Sequence, residues 1–212
     1  EEAYVQMMSA MDECVGQVLD KLVELKLDKN TLVVFCSDNG HAYMGGPESY
    51  QFPLRGKKGT VWEGGHRVPF LVHWPAQVAA STVSDQTICL TDLMATALDV
   101  LGESLPTGAG QDSYSFLAAI TQTKQPSERM VTIHHSVNGT FAIRKGDWKL
   151  IPNNLGSGGF SAPRVVKPKE GGPGGQLYNL RTDPSETKNV WQDNPKIVEE
   201  LQTELQSMRQ GS

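Results

Sequence analysis

The sequence is poor in cysteine, in long apolar runs and in surplus positive charge, and each shortage closes off a class of function. Its three cysteines, Cys14, Cys36 and Cys89, are odd in number and widely spaced, so they supply neither a zinc-ligand spacing nor a disulfide framework. Cys14 and Cys36 sit among apolar residues, which predicts buried free thiols. Cysteine usage therefore says nothing about compartment. The most apolar segments, Leu32–Cys36 and Phe70–Trp74, are far too short to cross a bilayer. Lys and Arg total 19 against 24 Asp and Glu, a formal charge of −5. That balance excludes a general nucleic-acid binder, which needs a cationic surplus. The most basic cluster, Arg164 to Lys169, lies beside glycines and prolines and reads as a solvated loop. The sequence has no internal repeat, no initiating Met and no signal segment. It starts at Glu1-Glu2 directly in a helical pattern, from which we expect a truncated or processed chain.

What is present is ordinary for a soluble globular protein: 212 residues, 38% hydrophobic and 20% charged, enough for one sizeable domain or two small ones. Tyr4, Met8, Met11, Val15, Val18, Leu22 and Leu25 recur in steps of three and four, predicting a long amphipathic helix that ends near Leu27. Thr31–Cys36 and Pro69–Trp74 are unalternating and rich in β-branched and aromatic residues, predicting strands buried on both faces, as in a mostly parallel sheet covered by helices. Between them lies a glycine-rich stretch, Gly40 to Gly65, too long for an incidental loop. A helix is expected from Thr91 to Leu101, with Leu93, Ala97 and Leu101 inward and Gly102 as its cap. After Pro106 the texture changes. Met130–His135 and Thr140–Arg144 read as a hairpin through Asn138-Gly139, with further strands at Trp148–Ile151 and Gln176–Leu180. The loop from Pro152 to Gly175 is expected to be mobile. Asn194-Pro195 starts a last helix that buries Val198, Leu201, Leu205 and Met208.

Two stretches carry chemistry. Ser37-Asp38-Asn39-Gly40 leaves the end of the first buried strand, where open α/β sheets place ligands. A carboxylate beside an amide oxygen suits a hard divalent cation better than zinc, although Asp-Asn-Gly is also plain turn chemistry. In Leu54 to Pro69, Gly56 and Gly59 bracket Lys57 and Lys58, which lets the backbone approach a ligand while a lysine aims its charge at an anion. Either stretch alone is weak.

Together and in this order they resemble the sulfatase family, of the arylsulfatase type, a branch of the alkaline phosphatase superfamily. The likeness runs nearly the whole chain. It includes Asp12 and Gly16 upstream, and downstream Asn138-Gly139-Thr140, Arg144 to Leu150, Leu177 to Leu180, Asp183-Pro184 and Glu186. It identifies the chain with the C-terminal portion of such a protein and implies an α/β fold. Part of a mixed sheet flanked by helices (residues 1–120) would be followed by a smaller antiparallel four-stranded sheet with a C-terminal helix (121–212). Carried over by position, the resemblance makes Asp38 and Asn39 a pair of calcium ligands, with Mg²⁺ the less favoured ion, and Lys58 the catalytic lysine that contacts sulfate. Lys57 becomes a bystander. His41 and His66 are candidates for the substrate pocket, with an exposed position or a packing role as their competing readings. His73 reads as a core or sheet-edge residue, and His134 and His135 alternate across a strand.

The departures matter as much. Family chemistry uses a formylglycine made from Cys or Ser in a Cys/Ser-x-Pro-x-Arg context, and none of the three cysteines has one; Ser161-Ala162-Pro163-Arg164 is one residue short. The earlier acidic ligands and the earlier Lys and His of the family are also unmatched. The resemblance therefore implies a sulfuric ester hydrolase represented by a piece that lacks the formylglycine nucleophile, expected upstream. A phosphonate or phosphodiester hydrolase of the same superfamily, and a non-catalytic binding module on a sulfatase fold, remain as alternatives. Implied partners are a sulfated small molecule or glycan and the missing N-terminal half. Periplasmic, extracellular or lysosomal location follows from resemblance alone.

Overall fold

The computed structural model describes residues 2–42, 53–122 and 128–210, so the part of the glycine-rich stretch from 43 to 52 lies outside the described residues. The chain forms two compact units that interleave along the sequence. One takes in residues 2–36, 69–122 and 128–129; the other takes in 37–42, 53–68 and 130–210. Compactness in space thus groups the chain differently from a single cut near residue 120.

In the first unit, α1 (Glu2–Glu24) is the predicted long helix, yet none of its residues is buried. Cys14, expected inside, is exposed, and Cys36 is only partly buried. Strands β1 (Val33–Cys36) and β2 (Phe70–His73) form an antiparallel pair. They are not the doubly buried strands expected: Phe35 is 39% and Leu71 58% exposed, because each strand pairs only with the other among the described residues. Phe70 packs edge-on against Phe116 with centroids 5.4 Å apart.

The second correction concerns α2 (Leu93–Val100), which buries Ala95 and Thr96. The expected inward residues are turned out, Leu101 being 73% exposed. Polar contacts orient this helix more than its apolar stripe does. Asp92, just before it, receives Cys89 N, Tyr114 N and the Arg129 guanidinium, while Thr96 Oγ1 accepts from Phe116 N at 3.0 Å ahead of α3 (Leu117–Thr121). Gly102, at φ 72°, closes α2 as expected.

The second unit follows the sequence closely. Strands β3 (Val131–His135), β4 (Phe141–Lys145), β5 (Trp148–Pro152) and β6 (Gly175–Asn179) form an antiparallel sheet in chain order. Gly139 takes the positive φ, 76°, that the first hairpin needs. Successive side chains on a strand point to opposite faces, so the sheet has two cores. Ile143, Leu150 and Leu177 meet Val198, Leu201 and Leu205 of α4 (Pro195–Gln210); Met208 is left exposed. On the other face Ala142, Ile151 and Tyr178 meet Val61 and Trp62. The loop from Pro152 to Gly175, expected to be mobile, is instead tied down. Val61 N donates to Ser157 O, Ser157 N to Pro163 O and Gly158 N to Arg164 O, and residues 156–159 are buried. No helix among the described residues is long and apolar enough to cross a membrane.

Candidate functional site

Asp38 and Asn39 lie in the turn that follows β1. Ser37 Oγ donates to Asn39 O at 2.9 Å, and Asn39 Nδ2 donates to Gly40 O at 3.1 Å. Among the described residues the Asn39 amide oxygen has no donor, and the Asp38 side chain is exposed. Gly40 N donates to Gly65 O at 3.0 Å. A Cβ at Gly40 would stand 1.9 Å from Gly64 O, so this approach of two backbones requires glycine. Lys58 sits in a tight turn closed by Thr60, whose N and Oγ1 both donate to Lys57 O. Gly56 and Gly59 flank that turn at φ 86° and 81°. Lys58 N donates to His41 O at 3.0 Å, and its side chain is exposed, whereas Lys57 is half-buried. The turn bearing Asp38 and Asn39 is thus stitched to the segment bearing Lys58 by two backbone hydrogen bonds.

Beneath the Lys58 turn, residues 60–65 are buried without a break. Glu63, in a 3-10 turn over Glu63–Gly65, is the centre of a charge network. Lys149 Nζ, on β5 and 0% exposed, lies 2.9 Å from Glu63 Oε1 and 2.9 Å from Glu186 Oε1. Only the first of these contacts has hydrogen-bond alignment. Glu63 N donates to Glu186 Oε2 at 2.6 Å, and Arg67 Nε reaches Glu63 Oε2 at 3.0 Å. Burial would raise the Glu63 carboxyl, but Lys149, His66 and Arg67 together hold it well below the usual carboxylate range. Burial pushes the Glu186 carboxyl up, only partly offset by Lys149.

His66 and His134 lie ring against ring beside this network, tilted by 38° with centroids 3.7 Å apart. His66 Nε2 is 3.1 Å from Glu63 Oε1, and His134 Nε2 is 3.0 Å from Val61 O. Both partners are acceptors, so each Nε2 carries the proton. Both Nδ1 atoms are then bare lone pairs, buried with no partner among the described residues. Burial lowers both histidines below their ordinary range, against the pull of Glu63.

Comparison with known proteins agrees with the motifs. The sulfatase family model matches residues 2–103. An N-acetylgalactosamine-6-O-sulfatase of Bacteroides thetaiotaomicron is 32% identical over 209 residues, covering 94% of this chain and 40% of that protein. Arylsulfatase J of Mus musculus is 27% identical over 208 residues, covering 89% and 34%. A solved Bacteroides thetaiotaomicron structure, titled as part of glycosaminoglycan metabolism, superposes with TM-score 0.79 at 30% identity, covering 94% of this chain and 43% of that one. The PsFucS1 sulfatase of Pseudoalteromonas sp. gives 0.73 at 26%, covering 96% and 41%. The chain belongs to the sulfatase family. It spans about 40% of the length of the first of these relatives.

In this sulfatase chain the structure brings Asp38, Asn39, His41 and Lys58 into one stitched pair of turns. His66 is turned toward Glu63 and His134, with 32% of its side chain exposed. The oxygen donors fit a hard cation, but they are two, and no group of three or more His, Cys, Asp or Glu among the described residues is arranged to hold a metal. A calcium shell takes six to eight oxygens, more than these two residues supply. Sequence reasoning missed the Glu63–Lys149–Glu186 network. The signal was there: a lysine in the middle of the otherwise apolar run Trp148–Ile151 is buried only if acids meet it.

Proposed function

We propose that this chain is the C-terminal portion of a sulfuric ester hydrolase, contributing Asp38 and Asn39 as ligands of a Ca²⁺ ion and Lys58 as a sulfate-contacting cation. The observation that carries this reading is the pair of backbone bonds, Gly40 N to Gly65 O and Lys58 N to His41 O, which join the two turns. Lys58, exposed at the tip of its turn, would place a positive charge against a sulfate oxygen that gains charge as the ester bond breaks. The Asp38 carboxylate and the Asn39 amide oxygen would orient the cation. Bound there, the cation would neutralise further charge on the sulfate. His41 is proposed to line the same pocket. His66 is proposed to brace the turn from beneath, which is the packing role among its two readings. Relatives named for N-acetylgalactosamine-6-sulfate support a sulfated sugar as the substrate class.

The sequence contains no Cys/Ser-x-Pro-x-Arg, so the chain by itself is expected to give no turnover. The test is an aryl sulfate assay of the chain alone and of a sulfatase-length polypeptide carrying it. Activity of the longer protein toward the sulfate over an aryl phosphodiester supports the reading. The reverse preference, or turnover by the chain alone, overturns it.

A further inference from the structure

We infer that Glu186 and Lys149 are positioning residues: through Glu63 they hold the Lys58 turn, and with it the Asp38-Asn39 turn, against the four-stranded sheet. This rests on the reading of Lys58, Asp38 and Asn39 given above. The Lys58 side chain is exposed, so its place is set by whatever fixes its backbone. That backbone continues into the buried run 60–65, and Glu63 is where the run meets the sheet.

Glu186 grips the loop at two points. Its carboxylate accepts from Glu63 N at 2.6 Å, and its carbonyl accepts from Arg55 Nη1 at 2.8 Å. Arg55 lies at the other end of the loop, where its own carbonyl accepts from Gly64 N at 2.7 Å. Its guanidinium stacks on Trp62 at 3.7 Å and reaches Tyr178 Oη at 3.1 Å. Glu186 does this from left-handed backbone, φ 51°, a conformation that a non-glycine residue keeps only where its surroundings over-determine it. Lys149 supplies the charge that makes the arrangement specific. A fully buried cation between two carboxylates is satisfied in one register, whereas apolar contacts tolerate sliding. From Gly65 the constraint passes to Gly40, and from Lys58 N to His41 O, so both halves of the candidate site are referred to the same sheet.

The experiment is amide hydrogen exchange, resolved by residue, on the full chain and on Glu186→Leu and Glu186→Gln. The leucine removes the acceptor of Glu63 N; the glutamine keeps an acceptor and removes the charge. Exchange at Gly40, Lys58 and Gly64 should accelerate about tenfold or more in the leucine variant, the effect of losing a hydrogen bond to a charged acceptor. Amides of β4 and β5 should be little changed, and the glutamine variant should recover part of the loss. If the leucine variant does not fold, the glutamine variant decides, with the same selective but smaller acceleration expected. Uniform acceleration through the sheet and the turns, or none at the three turn amides, overturns the inference. Exchange does not read sulfate chemistry, so a failed aryl sulfate assay would overturn the functional reading and leave this result standing.

Discussion

Replacing Lys149 with methionine would leave Glu63 and Glu186 buried against one another with no cation between them. Breaking a buried ion pair from one side costs about 3–5 kcal/mol, and that loss is expected for Lys149→Met in denaturant unfolding. The network also makes stability depend on pH. His66 and His134 are lowered from an ordinary value of 6.5. Above that value both folded and unfolded chains are neutral at these rings and nothing changes. Below it the unfolded chain takes up protons that the folded chain resists, so stability falls as pH drops. Glu63, lowered from 4.5, adds a further loss at more acid pH, while Glu186, raised from the same value, works in the opposite sense. Urea midpoints measured between about pH 7.5 and 5.5 should decline, and His134→Gln should flatten that decline. At the site itself, Lys58→Ala in a sulfatase-length protein should lower turnover by ~10²–10³, the effect of deleting one oxyanion donor. Lys57→Ala should cost far less; equal losses would mean that the wrong lysine has been assigned.

At the scale of elements, the second unit depends on α4. Leu201 and Leu205 fill the face of the sheet built by Ile143, Leu150 and Leu177. Leu201→Ala should therefore destabilise by about 2–5 kcal/mol in denaturant unfolding. This face was legible in the sequence because period-two strands and a capped helix with apolar residues three and four apart are local signals. So were Asp38-Asn39-Gly40 and the Gly-Lys-Lys-Gly turn, whose glycines are required by local backbone conformation and close approach. What was illegible depends on distant residues. The inward face of α2 follows Asp92, Ser113 and Arg129 rather than its own apolar stripe. The loop from Pro152 to Gly175 is held by carbonyls that nothing in its composition announces. Lys149 stands out among its apolar neighbours, but its partner Glu63 lies 86 residues away and nothing local announces that the two meet.

At the scale of the whole molecule, α1 buries none of its residues and leaves Tyr4, Met7, Met8, Met11, Val18 and Val23 exposed. The β1–β2 pair is likewise half-exposed. Each of these side chains, if buried by the rest of a longer sulfatase, would contribute about 1.5–3 kcal/mol relative to exposure. The chain alone is therefore expected to self-associate, with weak hydrogen-exchange protection in α1 and Val33–Cys36 and strong protection in β4, β5 and α4. A monomer protected throughout Val33–Cys36 would contradict this. In the proposed function, Asp38 and Asn39 would hold a metal beside Lys58 in a sulfate ester hydrolase. Its most direct test is Asp38→Ala in a sulfatase-length protein carrying this chain, with bound calcium and aryl sulfate turnover measured on the same sample. Both are expected to fall together. Calcium occupancy and turnover that survive the substitution would contradict it.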